Sequence, residues 1–163
     1  MAAKKGKSDQ DDRVIENRKA RFNYTILSTL EVGIVLRGSE VKSVRDGKVS
    51  ISESYVRVDQ NPPAMYAHGI NIDAYGPSGP IQHTPKRTRL LLAHKREIRK
   101  FAKQLDVKGF TIVPLKLYFK DGYAKLLVGV AEGKTKGDKR QTIAKRDSER
   151  EVRRAMSRRA RDH

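Results

Sequence analysis

The sequence predicts a mostly β protein with flanking helices: a small antiparallel β-barrel followed by a flexible basic C-terminal tail. Three observations carry that expectation. Short apolar runs separated by turn residues recur across residues 22–72 and 111–131, while only one segment keeps a sustained helical spacing. An Asp121-Gly122 pair sits between two alternating runs, the strongest short-range signal for a hairpin. From Gly133 onward apolar residues thin out, and 12 Lys and Arg face 5 acids. The expected organisation is therefore a flexible arm at 1–21, a barrel body at 22–132 and a basic tail at 133–163, disordered when free and helical on its partner.

Composition narrows the function before any motif is read. The 163 residues suit one domain with extensions. With 36 Lys and Arg against 19 acids, the formal charge is +17. An excess this large works against compaction through self-repulsion, so a polyanionic partner is its natural explanation. No apolar stretch is long enough for a membrane span or a secretory core, and the charged start is not a signal peptide. The absence of Cys fits a reducing compartment and excludes disulfides and thiolate zinc. The expected setting is cytoplasmic, away from a membrane.

In chain order, residues 1–21 read as a polar arm, either a solubilising end or a segment that orders on RNA. Residues 22–36 form the first strand region, with Gly33 marking a bend or bulge. Glu31 interrupts it. A carboxylate in a basic nucleic-acid binder repels phosphate, so it either accepts from base amino groups, orients an Arg, or is a solvated edge charge. Residues 38–47 predict a short helix with Ser39 as N-cap and Gly47 as its left-handed stop, placing Lys42 and Arg45 together. Strands are expected at 51–58 and 64–72, around a turn at Asp59-Gln60-Asn61-Pro62-Pro63. A Pro- and Gly-rich loop at 73–88 then delivers Lys86, Arg87 and Arg89 to one place.

Residues 90–105 carry the clearest helical spacing. Ile98, Phe101, Ala102 and Leu105 recur at i, i+3, i+4 and i+7, and Leu91 extends the stripe. Its basic covering is an ordinary solvent face or a phosphate contact. The two-residue turn at Asp121-Gly122 sets a register in which Phe119 faces Ala124, Leu117 faces Leu126, Leu115 faces Val128 and Val113 faces Val130. All eight are apolar and fall on one face. The other face carries Lys116, Tyr118, Lys120, Tyr123, Lys125 and Leu127, which suits a nucleic-acid surface or a plain solvent face. Five or six antiparallel strands with one substantial helix point to an oligonucleotide-binding-type (OB-fold-like) barrel.

Catalytic patterns are missing. The four His are scattered, and residues 133–137 lack the Gly-x4-Gly-Lys-Ser/Thr order that cradles a triphosphate. Serine elbows and close carboxylate pairs are absent too. The expectation is a non-enzymatic binder without a cofactor or metal. The alternatives are a ribosome-associated rRNA-binding assembly or structural protein, and an RNA-processing enzyme whose acids assemble from afar.

Several blocks resemble one family: Asn17-Arg18-Lys19-Ala20-Arg21, Gly33 through Arg37-Gly38-Ser39-Glu40-Val41-Lys42-Ser43, Ser54-Tyr55-Val56, His83-Thr84-Pro85 through Arg96-Glu97-Ile98, residues 111–118, and Gly133-Lys134 with Asp138-Lys139-Arg140. They are similar to the small protein B (SmpB) family, the partner of transfer-messenger RNA (SsrA RNA) in bacterial ribosome rescue. The resemblance implies an OB-like barrel that holds the tRNA-like domain of that RNA. It implies delivery to stalled ribosomes with an empty mRNA channel, and a tail that meets small-subunit rRNA at the decoding centre. Alanyl-tRNA synthetase and elongation factor Tu would act on the RNA, and the protein would catalyse nothing.

Carried over by match, Asn17, Glu31, Lys42, Arg45, Arg87, Arg89, Leu91 and Lys125 are the candidate RNA-binding residues. Lys134, Lys136, Asp138, Lys139, Arg140 and Met156 are the candidate ribosome-binding residues. Gly137 departs from the family's usual aromatic or His before Asp-Lys-Arg. Leu90 stands where Lys is common, Ala93 where Leu is usual, and Ala155 where a larger apolar residue often precedes Met.

Overall fold

In a computed structural model, residues 13–80 and 82–159 are described. Residues 1–12 of the expected arm at 1–21, and residues 160–163 of the expected tail, lie outside them. The elements run β1 (Ile15–Glu16), α1 (Arg18–Asn23), β2 (Tyr24–Ile34), α2 (Gly38–Arg45), β3 (Val49–Ser50), β4 (Tyr55–Gln60), β5 (Pro63–His68) and β6 (Asn71–Ile72). They continue with β7 (Arg89–Leu92), α3 (Lys95–Leu105), β8 (Phe110–Lys120), β9 (Tyr123–Gly133) and α4 (Lys136–Arg159). The main sheet has the order β1-β8-β4-β5-β7-β2-β9, and β9 pairs back onto β8, closing a ring of antiparallel strands. Closure removes most open edges. β3 and β6 form a separate two-residue ladder.

The hairpin is built as its turn demands. Asp121 and Gly122 both take positive φ, 53° and 80°, the type I′ geometry that matches strand twist. The expected register holds for Phe119↔Ala124, Leu117↔Leu126 and Lys116↔Leu127, and then slips. Pro114 pairs with Val128, Val113 with Gly129 and Ile112 with Val130, so the expected Leu115–Val128 and Val113–Val130 pairs do not form. The reason is local. Pro114 has no N–H for the ladder, and Leu115 becomes the extra residue of a β-bulge. Its carbonyl accepts instead from the Asn17 backbone N–H at 2.8 Å.

The bulge divides the apolar residues between two faces. Ile112, Leu117, Leu126, Val128 and Val130 fill the barrel core with Val32, Met65, Ala67 and Phe101. Val113 and Leu115 turn outward and pack with Ala20, Ala131 and Tyr24. That second cluster seats α1. Part of the presumed arm, from Ile15, is therefore folded onto the body: β1 pairs with β8 at Leu117 and Lys116. Asn17 accepts the Ala20 N–H at 2.9 Å as the N-cap of α1.

Two helix expectations are corrected. α3 starts at Lys95, because residues 89–92 pair with β5 on one side and β2 on the other. Leu91 is thus a core strand residue and does not extend the helical stripe, while Ile98, Phe101 and Ala102 bury as the spacing required. α2 is capped from Arg37, whose N–H reaches Glu40 at 2.7 Å; Ser39 instead bonds His83 Nδ1 at 2.9 Å. Gly47 does take the left-handed stop, at φ 77°. The tail is a 24-residue helix, α4, with nearly every residue exposed.

Candidate nucleic-acid interface

An open groove lies on the outer face where β2, β7 and β9 meet. Glu31, Gly33, Leu92, His94, Glu97 and Lys125 are among the residues that line it. Strand pairing sets Lys125 opposite Gly33. A Cβ on Gly33 would meet Leu92 Cβ at 3.2 Å, so glycine lets β7 come close and leaves Leu92 57% exposed above it. Alternation along β7 buries Leu91, an expected RNA-binding residue, and presents Leu92 beside Glu31 and Lys125.

Glu31 is held in place. It accepts a very short hydrogen bond from the Tyr118 hydroxyl and a longer one, at 3.3 Å, from Lys120 Nζ. The Tyr118 hydroxyl, then Lys120, keep its carboxyl below the usual carboxylate range despite some desolvation. Burial and the Glu31 carboxylate push the Tyr118 phenol up to about 12. The result is a fixed acceptor beside lysines, able to take donors from a nucleobase while Lys125 and Lys120 meet phosphate. Tyr123 is 72% exposed at the hairpin end, and Lys116 pairs with Glu16 at 2.9 Å.

The basic loop at 73–88 is anchored by a buried carboxylate. Glu40, fully buried on α2, accepts from Arg87 Nη2 at 2.5 Å and from Arg89 Nη2 at 2.8 Å. Arg89, also fully buried, donates further to the Ile70 carbonyl at 2.7 Å and the Pro85 carbonyl at 2.9 Å. Burial raises the cost of ionising Glu40, but Arg87, the Arg37 N–H and Arg89 more than offset it and hold its carboxyl low. Burial lowers the Arg89 guanidinium's affinity for its proton, and Glu40 opposes that.

Two of the expected RNA-binding residues, Arg89 and Asn17, lie inside the protein. Arg89 is satisfied inside the protein, and Asn17 is 3% exposed, donating to the Ile51 carbonyl at 3.0 Å and the Pro114 carbonyl at 2.9 Å. Both residues shape the surface from beneath. Arg87 is half-buried, while Lys42 is exposed on α2 and lies over the Tyr75 ring at 5.3 Å. Arg45 lies over Phe119 at 5.2 Å. Among the expected RNA-facing residues, only Glu31 and Lys125 share the groove.

The junction to the tail is a built joint. Lys134 donates its backbone N–H to Asn23 at 2.8 Å and its Nζ to the Arg21 carbonyl at 3.1 Å. Thr135 and Asp138 cap α4 reciprocally: Asp138 Oδ2 accepts from the Thr135 N–H at 3.1 Å, and Thr135 Oγ1 accepts from the Asp138 N–H at 3.3 Å. These bonds, the Thr135 hydroxyl's first, hold the Asp138 carboxyl below its ordinary value. The Thr-x-x-Asp spacing, set within a charge-rich block, is the sequence signal for this cap. Lys136 and Arg140 are exposed and Lys139 is half-buried, while Met156 is 68% exposed near the end of α4.

Among the described residues, no group of three or more His, Cys, Asp or Glu converges to hold a metal ion. No described helix is long and apolar enough to cross a membrane.

Comparison with known proteins adds to this geometry. A family model described as SmpB protein matches residues 14–158. An SsrA-binding protein of Listeria welshimeri is 44% identical over 146 residues, covering 90% of this chain and 94% of that one. One from Lacticaseibacillus casei is 45% identical over 154 residues, covering 94% and 97%. A solved structure described as "tmRNA-SmpB: a journey to the center of the bacterial ribosome" aligns with a TM-score of 0.64 at 42% identity, over 80% of this chain and 94% of that one.

Proposed function

The chain belongs to the SmpB protein family, and from that premise we propose that it is the SsrA (transfer-messenger) RNA-binding adaptor of trans-translation. The observation that carries this reading is the division of the molecule into two presentations. A closed barrel offers the Glu31–Leu92–Lys125 groove, and a capped, highly basic helix leaves the end of β9 with almost no surface packed on the core. A body that grips one RNA and an arm free to enter another is what an adaptor between two RNAs needs.

In this reading the groove, with Lys42 and Arg87 beyond it, takes the tRNA-like domain. Asn17, Arg89 and Leu91 support that surface without touching the ligand. Lys136, Lys139, Arg140 and Met156 meet small-subunit rRNA at the decoding centre, where α4 occupies the vacant mRNA channel and licenses tagging. Lys134 and Asp138 set its starting direction. Alanyl-tRNA synthetase and elongation factor Tu act on the RNA, and the protein works in the cytoplasm as a partner rather than an enzyme.

The helix has little apolar burial to hold it, since Ile143, Val152 and Met156 are all exposed. It is therefore expected to melt in the free protein and to fold against rRNA. Secondary chemical shifts of residues 140–158 test this, and a well-protected helix in the free protein counts against it.

The decisive experiment is truncation after Thr135, which keeps the β9 pairing and the Lys134 bonds. The expected outcome is near-normal affinity for transfer-messenger RNA, steeply salt-dependent, with loss of peptidyl transfer to that RNA on stalled ribosomes. Loss of both activities would refute the two-ended reading. Affinity for rRNA with no preference for the tRNA-like domain would make this an rRNA-binding assembly protein instead.

A further inference from the structure

Five arginines line one cleft at the seam between α1 and α4. Arg18 and Arg21 come from α1, and Arg146, Arg150 and Arg153 come from α4. Two carboxylates share it, Glu16 and Glu149. Glu16 is already paired with Lys116 at 2.9 Å. The Arg150–Asp147 contact is 3.7 Å between exposed side chains and adds little. Arg146 lies over the Phe22 ring at 5.7 Å. Beside Lys116, Arg21 and Arg18 also help to hold the Glu16 carboxyl below its ordinary value, but neither they nor Arg153 form an ion pair within 4 Å of another described residue.

Like charges gathered in one cleft repel, and apolar burial does not compensate, because the large apolar residues of α4 stay exposed. An anion between the two helices reverses that balance. Arginines lining a cleft from two helices can donate to the oxygens of one phosphate, which accepts from several guanidinium groups at once. The cleft shares no residue with the Glu31–Lys125 groove.

We propose that the α1–α4 cleft binds a phosphodiester of an RNA backbone, which bridges arginines of the two helices and fixes the direction in which α4 leaves the barrel. This rests on reading the protein as an RNA-binding adaptor, but it assigns a second site and makes tail direction depend on its occupancy.

The test uses the full-length protein in backbone amide NMR, titrated with a short oligouridylate and, separately, with inorganic phosphate. Amides of residues 18–23 and 146–153 should shift together with a single Kd for the oligouridylate. The Arg18→Gln/Arg150→Gln double variant should weaken that Kd by roughly tenfold. Lys100→Gln/Lys103→Gln on α3, an equal loss of charge, should change it less than about twofold. Equal weakening in both variants, or shifts confined to one helix, would overturn the site. Inorganic phosphate binding as tightly as the oligouridylate would overturn the RNA assignment and leave a free-anion site. A silent cleft alongside intact transfer-messenger RNA binding would overturn this inference alone and leave the adaptor reading standing.

Discussion

Asn17 Nδ2 donates to the Pro114 carbonyl at 2.9 Å at the point where the β8–β9 register slips by one residue. The same amide donates to Ile51, and its oxygen caps α1. One buried side chain thus ties together the bulge, the loop before β4 and the first helix.

Asn17→Ala should therefore destabilise the protein by about 3 kcal/mol, combining unsatisfied buried carbonyls with a lost cap. Asn17→Asp should cost more, because it turns the donor into an acceptor facing two carbonyls. Urea unfolding measures both. RNA affinity at low temperature should fall only as far as the folded fraction does, which separates a supporting role from a contact.

Glu40→Gln should destabilise by about 3 kcal/mol or more, since it leaves the buried Arg89 charge uncompensated. The pH dependence has a definite sign. Glu40's carboxyl is held below its ordinary value near 4.5, so its contribution is complete above that value. It is lost as pH falls through the lower folded-state value. An acid titration of stability should show this loss in the wild type and not in the variant.

Tyr118 should stand apart among the six tyrosines in an ultraviolet titration, ionising near 12. Its pKa is raised on folding, so the stability it lends is present below 10 and lost as pH rises toward 12. Tyr118→Phe removes the main donor to Glu31, and the Glu31 carboxyl should then titrate at higher pH in a carbon-detected experiment. No upward movement would mean that Lys120 alone holds it.

Gly137→Ala should raise helicity at 222 nm without disturbing the barrel. A Cβ there meets nothing closer than Thr135 Oγ1 at 3.8 Å, so the structure does not require glycine. The change favours α4 by about 1 kcal/mol through backbone entropy and propensity. If tail function depends on folding at the ribosome, peptide tagging should persist in this variant.

Much of the barrel was legible because strand alternation and turn chemistry are local. Asp121-Gly122 announces its own φ values, and Phe119–Ala124 and Leu117–Leu126 follow from it. The groove was half legible. Glu31 and Lys125 stand out by charge, but Leu92 does not, because three consecutive leucines give no sign of which one faces outward. Thr135–Asp138 was readable as a cap from its spacing and was obscured by the lysines around it.

Local sequence was enough for the antiparallel β class, the hairpin turn, the apolar face of α3 and the boundary in charge at Gly133. Each rests on neighbours within a few residues. Long-range packing set the rest: Leu115 and Val113 leave the barrel core to seat α1, Leu91 is buried while Leu92 is presented, and Arg89 is a buried partner of Glu40. Those outcomes depend on groups far apart in the chain. Pro114 withholds an N–H from the ladder, Asn17 arrives from a distant segment to occupy the gap, and Glu40 draws two arginines inward from a loop that charge alone would have left facing solvent.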